Sequence, residues 1–153
     1  MSNYISMMKA DIANFRGFRT SIWLSGCRRH CKGCFNSHTW DFKAGQPLDE
    51  EAYKKLENEL KKEWCRGLSI LGGEPLEPEN LEAVRKLSVI SRRCGKDTAL
   101  WTGYYIGELS SPQLEALEDV DYIIDRTIHR RAERHFTEVE TAAATRGYGG
   151  MLL

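Results

Sequence analysis

Strand-like and helix-like segments alternate along most of this 153-residue chain, and this alternation constrains the fold more than any other feature. Short apolar runs at residues 20–25, 68–71, 98–102 and 122–124 predict strands. Helical patterns lie between these runs. Because parallel strands are joined by helical crossovers, the order predicts a single-domain α/β protein with a mostly parallel sheet.

Three helices are predicted between the strands. Asp49 is a suitable N-cap for the first helix, Pro78 a first-turn residue for the second, and Gly95 its C-terminal stop. The first helix has its apolar positions at Ala52, Leu56, Leu60 and Trp64, and the second at Leu81, Val84, Leu87 and Ile90. The third runs from Ser111-Pro112 to Leu117, and a further apolar stripe predicts a C-terminal helix with Ile128, Ala132, Phe136 and Val139 on one face.

Cys27, Cys31 and Cys34 follow the first strand with the spacing C-x3-C-x2-C. Zinc sites usually use two separated pairs of ligands, because tetrahedral coordination needs four protein donors. A [4Fe–4S] cluster normally takes four cysteines, so three on one loop leave one iron open to a ligand that is not protein. The spacing therefore indicates an iron–sulfur cluster, with a structural metal loop or three ordinary buried thiols as the alternative.

Residues that could bind a ligand or take part in a reaction follow each predicted strand. Cys27 follows the first, Gly72 to Glu74 the second, Gly103 the third, and Asp125 closes the fourth. In a parallel sheet, ligands bind at the carboxyl ends of the strands. The sequence therefore predicts one active site at that edge.

Composition excludes several classes of function. Lys plus Arg and Asp plus Glu number 22 each, so no basic field favours nucleic acid, and no apolar run approaches the roughly 18 residues of a membrane helix. The N-terminus lacks the charged-then-apolar pattern of a signal peptide. We therefore expect one cytoplasmic domain over residues 1–153, with its five cysteines reduced.

The cysteine loop, followed by Phe35-Asn36, resembles that of the radical S-adenosylmethionine (SAM) enzymes. Four ordered segments resemble the activating enzymes of anaerobic ribonucleotide reductases: Asn14-x-x-Gly17-x-Arg19, Phe35-Asn36-Ser37-His38-Thr39-Trp40, Gly72-Gly73-Glu74-Pro75 and Trp101-Thr102-Gly103-Tyr104. From about residue 126 the chain diverges. The family's Asn-Gly-Pro-Gly turn is Asn14-Phe15-Arg16-Gly17 here, and Asp125 lacks the lysine of the acid-x-lysine pair found in related activases.

The resemblance implies an open partial (βα) barrel of the radical SAM type, since a complete eight-stranded barrel takes about 250 residues. It also implies that Cys27, Cys31 and Cys34 hold a [4Fe–4S] cluster whose open iron binds SAM. Reductive cleavage of SAM would give methionine and a 5′-deoxyadenosyl radical. That radical would take hydrogen from a glycine of an anaerobic ribonucleoside-triphosphate reductase, so no side chain is required as a general base.

The resemblance further assigns residues to SAM. Gly72 and Gly73 would allow close backbone approach, and Glu74 would accept a hydrogen bond from the ammonium group. Phe35 would lie beside the adenine or, alternatively, cover the cluster as a core aromatic. Four further residues take lesser parts: Thr102 as a hydrogen-bonding group or a plain strand end, Asp125 beside SAM, and Asn36 and Trp40 as supports of the loop.

Arg28, Arg29 and Lys32 predict a basic rim, including His30, that would receive an electron donor such as flavodoxin or a ferredoxin-type protein. The isolated Cys65 and Cys94 are expected to be buried packing residues. Two other functions stay open. One is a radical SAM enzyme that acts on another glycyl-radical enzyme or a small molecule, and the other is a non-catalytic iron–sulfur or zinc module.

Overall fold

The computed structural model describes residues 1–125, in which six strands and three α-helices follow one another. The strands are β1 (Asn3–Asp11), β2 (Arg19–Leu24), β3 (Gln46–Pro47), β4 (Gly67–Gly72), β5 (Asp97–Trp101) and β6 (Tyr122–Ile124). The helices are α1 (Glu50–Leu60), α2 (Leu81–Arg93) and α3 (Ser111–Ala116). One sheet has the order β3-β1-β2-β4-β5-β6, in which β2, β4, β5 and β6 are parallel and β1 is antiparallel to β2 and β3.

The α/β class and the mostly parallel sheet are confirmed. Each of the four predicted strands is present within one residue of its predicted bounds. Strands β1 and β3 are additions that the sequence pattern does not predict. Strand β3 has only two residues, and the pairing of β1 with β2 is interrupted by register shifts that disturb its alternation of apolar and polar residues.

The ends of the helices follow the predicted capping residues. The Asp49 carboxylate accepts the Ala52 N–H at 2.9 Å at the start of α1. Pro78 opens a short 3-10 turn, Pro78–Asn80, that leads into α2. Gly95 follows the last turn of α2 with φ +69°, the left-handed conformation that glycine adopts without strain.

One position of α1 is predicted wrongly. Trp64 was expected on the apolar face of α1, but the helix ends at Leu60 and Trp64 is 41% exposed. After Leu60 the chain makes a turn closed by a 3.1 Å bond from the Cys65 N–H to the Lys62 carbonyl, and β4 begins at Gly67. The helical spacing continues in the sequence, but the chain leaves the helix to enter the sheet.

The hydrophobic core lies between the helices and one face of the sheet. Alternate residues of the parallel strands point into it: Ile22, Leu24, Leu68, Ile70, Leu100 and Ile123. The helices contribute Leu56 and Leu60 from α1, Val84 and Leu87 from α2, and Ala116 from α3. The three helices therefore cover the same face of the sheet.

A buried arginine lies on the opposite face of the sheet. Arg19 is completely buried at the amino end of β2, where its Nη2 lies 2.6 Å from Oδ1 of Asp97 as an ion pair without hydrogen-bond geometry. Its Nε donates to Oγ of Ser69 at 2.8 Å and its Nη2 to the Leu68 carbonyl at 2.7 Å. Arg19 thus joins the starts of β2, β4 and β5, which gives the Asn14-x-x-Gly17-x-Arg19 segment a structural role.

The predicted C-terminal helix, with Ile128, Ala132, Phe136 and Val139, lies outside the described residues. None of the helices within residues 1–125 has the length and apolar character needed to cross a bilayer.

The buried position of Arg19 leads to a stability prediction. Arg19→Ala removes the buried partner of the Asp97 carboxylate. We therefore expect the free energy of unfolding to fall by about 3 kcal/mol. The matched control is Arg66→Ala, because Arg66 contacts the same carboxylate at 3.3 Å with a side chain that is 69% exposed. That change should cost less than about 1 kcal/mol. Urea unfolding followed by circular dichroism measures both, and equal losses would contradict the assignment.

Candidate active site

The carboxyl ends of β2, β4, β5 and β6 lie side by side at one edge of the sheet. Leu24 at the end of β2 is paired with Gly72 at the end of β4, and Trp101 of β5 is paired with Ile124 of β6. The Thr102 N–H extends the last pair by donating to the Ile124 carbonyl at 3.0 Å. The four segments predicted to form the active site, which follow these strands, therefore meet at one edge of the sheet, as predicted.

The cysteine loop leaves this edge after β2. Cys27 is buried at its base, while Cys31 and Cys34 are half-buried further out, and all three are free thiols. The Cys27 N–H donates to the Trp40 carbonyl at 3.0 Å, so the loop is closed at its base. The ring of His30 stacks on that of Trp40 with 4.4 Å between centroids. Trp40 therefore supports the loop, in agreement with the prediction.

The Cys27 sulfur is buried and lies beside backbone N–H groups. Burial raises the pKa of the Cys27 thiol, and backbone N–H groups of Arg29 and His30 directed at the sulfur act in the opposite direction. Three free thiols on one loop, with N–H donors to a sulfur, fit the ligand set of a [4Fe–4S] cluster. Within residues 1–125, no group of three or more His, Cys, Asp or Glu side chains is arranged to hold a single metal ion.

Gly72 and Gly73 bring the end of β4 against the base of the cysteine loop. The Gly73 N–H donates to the Leu24 carbonyl at 2.9 Å, and the Glu74 N–H donates to the Gly26 carbonyl at 2.8 Å. A Cβ on Gly72 would lie 2.1 Å from the Leu24 oxygen, and one on Gly73 would lie 2.4 Å from the Gly26 oxygen. The two glycines are therefore required for backbone packing, a reason that the sequence alone does not reveal.

The Glu74 carboxylate connects the ends of β4 and β5. The residue is 1% exposed. Its Oε1 accepts the Leu76 N–H at 3.0 Å and the Thr102 hydroxyl at 2.7 Å, and its Oε2 accepts the Gly103 N–H at 2.7 Å. Burial raises the pKa of Glu74, against the opposing effects of these hydrogen bonds and of the nearby Arg29 charge. A carboxylate has about four acceptor positions, so one remains for a further donor.

The other residues predicted to bind SAM lie at the same edge in different environments. Phe35 is 100% exposed on the cysteine loop, so it does not pack in the protein core, and its alternative role as a cover of the cluster stays a prediction. The Thr102 hydroxyl is used within the protein, because it donates to Glu74 and accepts the Tyr104 N–H at 3.1 Å. Asp125 is half-buried, and its Oδ2 accepts the Ile106 N–H at 3.4 Å. The roles of Phe35, Thr102 and Asp125 toward SAM stay predictions.

The predicted basic rim is partly neutralised. The Arg28 guanidinium donates to the Glu77 carboxylate at 2.7 Å and to that of Glu79 at 2.8 Å, so two acids more than offset its charge. Arg29 is half-buried, with a buried Nε that has no hydrogen-bond partner in the described part of the chain. Lys32 is exposed. Of the three basic residues, Lys32 is the one that faces solvent without an ion pair within residues 1–125.

Two buried residues of the site are missed by sequence reasoning. The side-chain amide of Asn80 donates to the Ser25 carbonyl at 2.9 Å and to the Glu74 carbonyl at 3.2 Å. The Glu77 carboxylate accepts the Arg28 N–H at 2.8 Å. Both follow the Gly-Gly-Glu-Pro segment closely, and that proximity is the only signal in the sequence. Ser25 and Arg28, their partners across the site, follow β2, and the pairing of β2 with β4 brings the two segments together.

Of the two remaining cysteines, Cys65 is buried as predicted, whereas Cys94 is only half-buried. Cys65 is 1% exposed, and its thiol lies 3.5 Å from the Gly67 carbonyl oxygen. Cys94 is half-buried at the end of α2, against the core, and burial raises its thiol pKa.

Comparisons with known proteins agree with the cysteine chemistry. A family model described as a 4Fe-4S single cluster domain matches residues 13–145. The anaerobic ribonucleoside-triphosphate reductase-activating protein of Haemophilus influenzae is 36% identical over 127 residues, which are 80% of this chain and 82% of that protein. The proteins of the same name from Vibrio cholerae and Enterobacteria phage T4 are each 38% identical over 80% of this chain, with 82% and 79% of their own lengths covered.

The close approach at Gly73 predicts the effect of a single methyl group. Gly73→Ala would push the Gly26 carbonyl away and displace the base of the cysteine loop, so we expect a loss of about 1–3 kcal/mol in unfolding free energy and poor retention of iron. Gly107→Ala is the control, because its Cβ would meet no atom within 4 Å. Iron content after anaerobic reconstitution and thermal unfolding provide the measurements. Wild-type iron content and stability in Gly73→Ala would refute this account of the loop.

Proposed function

The chain belongs to the family of anaerobic ribonucleoside-triphosphate reductase-activating proteins, and from this membership we propose that it generates a glycyl radical on such a reductase. The observation that carries the proposal is the position of the three free thiols. They lie on one loop that leaves the carboxyl edge of the parallel sheet, and the base of that loop contacts the Gly72-Gly73-Glu74 segment. This arrangement supports the proposal of a cluster site beside a polar binding site.

We propose that Cys27, Cys31 and Cys34 hold the [4Fe–4S] cluster and leave one iron for SAM. The bound cluster would supply one electron to the sulfonium of SAM, and the cleavage would yield methionine and a 5′-deoxyadenosyl radical able to take hydrogen from the glycine. The protein contributes no general base to this reaction. Its residues would hold the loop and orient SAM.

The SAM site that we propose comprises Phe35, Gly72, Gly73, Glu74, Thr102 and Asp125. The remaining acceptor position of Glu74 suits the ammonium group of SAM, and its hydrogen bonds from Thr102 and Gly103 hold the carboxylate in one orientation. Phe35 supplies an exposed aromatic ring for the adenine. Gly72 and Gly73 would offer their backbone groups to SAM, while the absence of their side chains serves the packing against Leu24 and Gly26.

The type of barrel and the cellular location are also proposals. Four parallel strands with helices on one face support an open partial (βα) barrel of the radical SAM type, because a closed barrel needs eight strands. The five free cysteines support a cytoplasmic location, where thiols stay reduced.

A direct assay tests the proposed function. The reduced, reconstituted protein is mixed with SAM and a candidate anaerobic reductase without oxygen, and we expect 5′-deoxyadenosine together with a glycyl radical signal in electron paramagnetic resonance. Cys31→Ala should abolish both products, and Cys94→Ala is the matched control that should retain them. Cleavage of SAM without the radical signal would indicate another substrate, and no cleavage at all would indicate a passive iron–sulfur or zinc module.

We further propose flavodoxin or a ferredoxin-type protein as the electron donor, which docks through the exposed Lys32. Arg28 is unsuitable for testing this idea because it binds Glu77 and Glu79. Lys32→Glu reverses one surface charge, so we expect several-fold slower cluster reduction by flavodoxin, with a difference that shrinks as salt is added. Reduction by dithionite should be unchanged. Equal rates with flavodoxin at low salt would remove Lys32 from the docking surface.

A further inference from the structure

A buried acid holds the residue that follows the first cysteine. Glu77 is 2% exposed, and its Oε1 accepts the backbone N–H of Arg28 at 2.8 Å. Its Oε2 accepts Nη1 of the same residue at 2.7 Å. One carboxylate therefore binds both the backbone and the side chain of the neighbour of Cys27.

Glu77 is itself held by the fold. It lies between the end of β4 and α2, and its own N–H donates to the Glu74 carbonyl at 3.2 Å. The Asn80 N–H donates to the Glu77 carbonyl at 2.8 Å, which continues the turn into α2. The carboxylate is thus attached to a rigid element on one side and to the cysteine loop on the other.

The charges around this contact do not cancel. Arg28 also binds Glu79, so two carboxylates face one guanidinium and leave one net negative charge. Glu79 is 46% exposed and screened by solvent, whereas Glu77 is buried. The negative charge of Glu77 therefore acts more strongly on the cysteine loop than that of Glu79.

We propose that Glu77 is a positioning residue that fixes the backbone beside Cys27 and, by its buried negative charge, lowers the reduction potential of the cluster. This inference rests on the proposed function. Reduction adds an electron to the cluster, and a nearby fixed negative charge disfavours that addition. A lower potential makes the reduced cluster a stronger donor toward a sulfonium.

Glu77→Gln separates the charge from the geometry, since the glutamine carbonyl can still accept the Arg28 N–H. In the reconstituted full-length protein we expect the cluster to form and its midpoint potential, from a redox titration of the reduced-cluster resonance, to move to a more positive value. Glu79→Gln is the matched control, because it removes the same charge from the same arginine at an exposed position. Its shift should be clearly smaller. An unchanged potential in Glu77→Gln, or equal shifts in both variants, would overturn the electrostatic role.

Glu77→Ala tests the positioning role without the cluster. We expect hydrogen exchange of the Arg28 amide in cluster-free protein to become about tenfold faster, the loss expected for a hydrogen bond to a charged acceptor. Unchanged exchange would overturn the positioning role. A wild-type protein that forms no [4Fe–4S] cluster would instead refute the proposed function and the potential effect together, while the exchange result still decides whether Glu77 holds the loop.

Discussion

The parallel pairing of β2 with β4 is the interaction on which the candidate site depends. Leu24 and Gly72 are opposite each other at the ends of the two strands, and the backbone bonds continue beyond them to Gly73 and Glu74. Carboxyl ends of adjacent parallel strands necessarily meet, so this pairing brings a thiol loop against an acidic loop that is distant in sequence. The approach is close enough to exclude a β-carbon at Gly72 or Gly73.

Buried charges secure the sheet at both of its ends. At the amino end, Arg19 binds Asp97, Ser69 and the Leu68 carbonyl, and at the carboxyl end Glu74 binds Thr102 and Gly103. Buried polar groups are costly when they lack partners, so each of these networks favours one alignment of the strands. The network at the amino end serves the fold, whereas the one at the carboxyl end also orients a group that faces the proposed SAM site.

Local features of the sequence predicted the parts of the structure that local chemistry governs. Asp49 caps α1 and Gly95 follows α2, because capping depends on a few neighbouring residues. Trp64 continued the helical spacing but left the helix, because entry into β4 overrides periodicity. The short β3 and the bulged β1 carry too little alternation to be recognised. Phe35 does not pack in the core as an aromatic residue often does, because the exposure of a loop residue depends on the whole fold.

The sequence by itself determined the α/β class, the positions of the four parallel strands along the chain and the cysteine loop that follows the first of them. Spacing and periodicity, on which these predictions rest, are properties of neighbouring residues. The tertiary structure alone decided which groups meet. Glu77 binds Arg28, Asn80 binds Ser25, and Arg28 loses its expected role as a free surface charge. These contacts join residues about fifty positions apart, and the alignment of β2 with β4 brings them together because burial and hydrogen bonding across the sheet, not local preference, set that alignment.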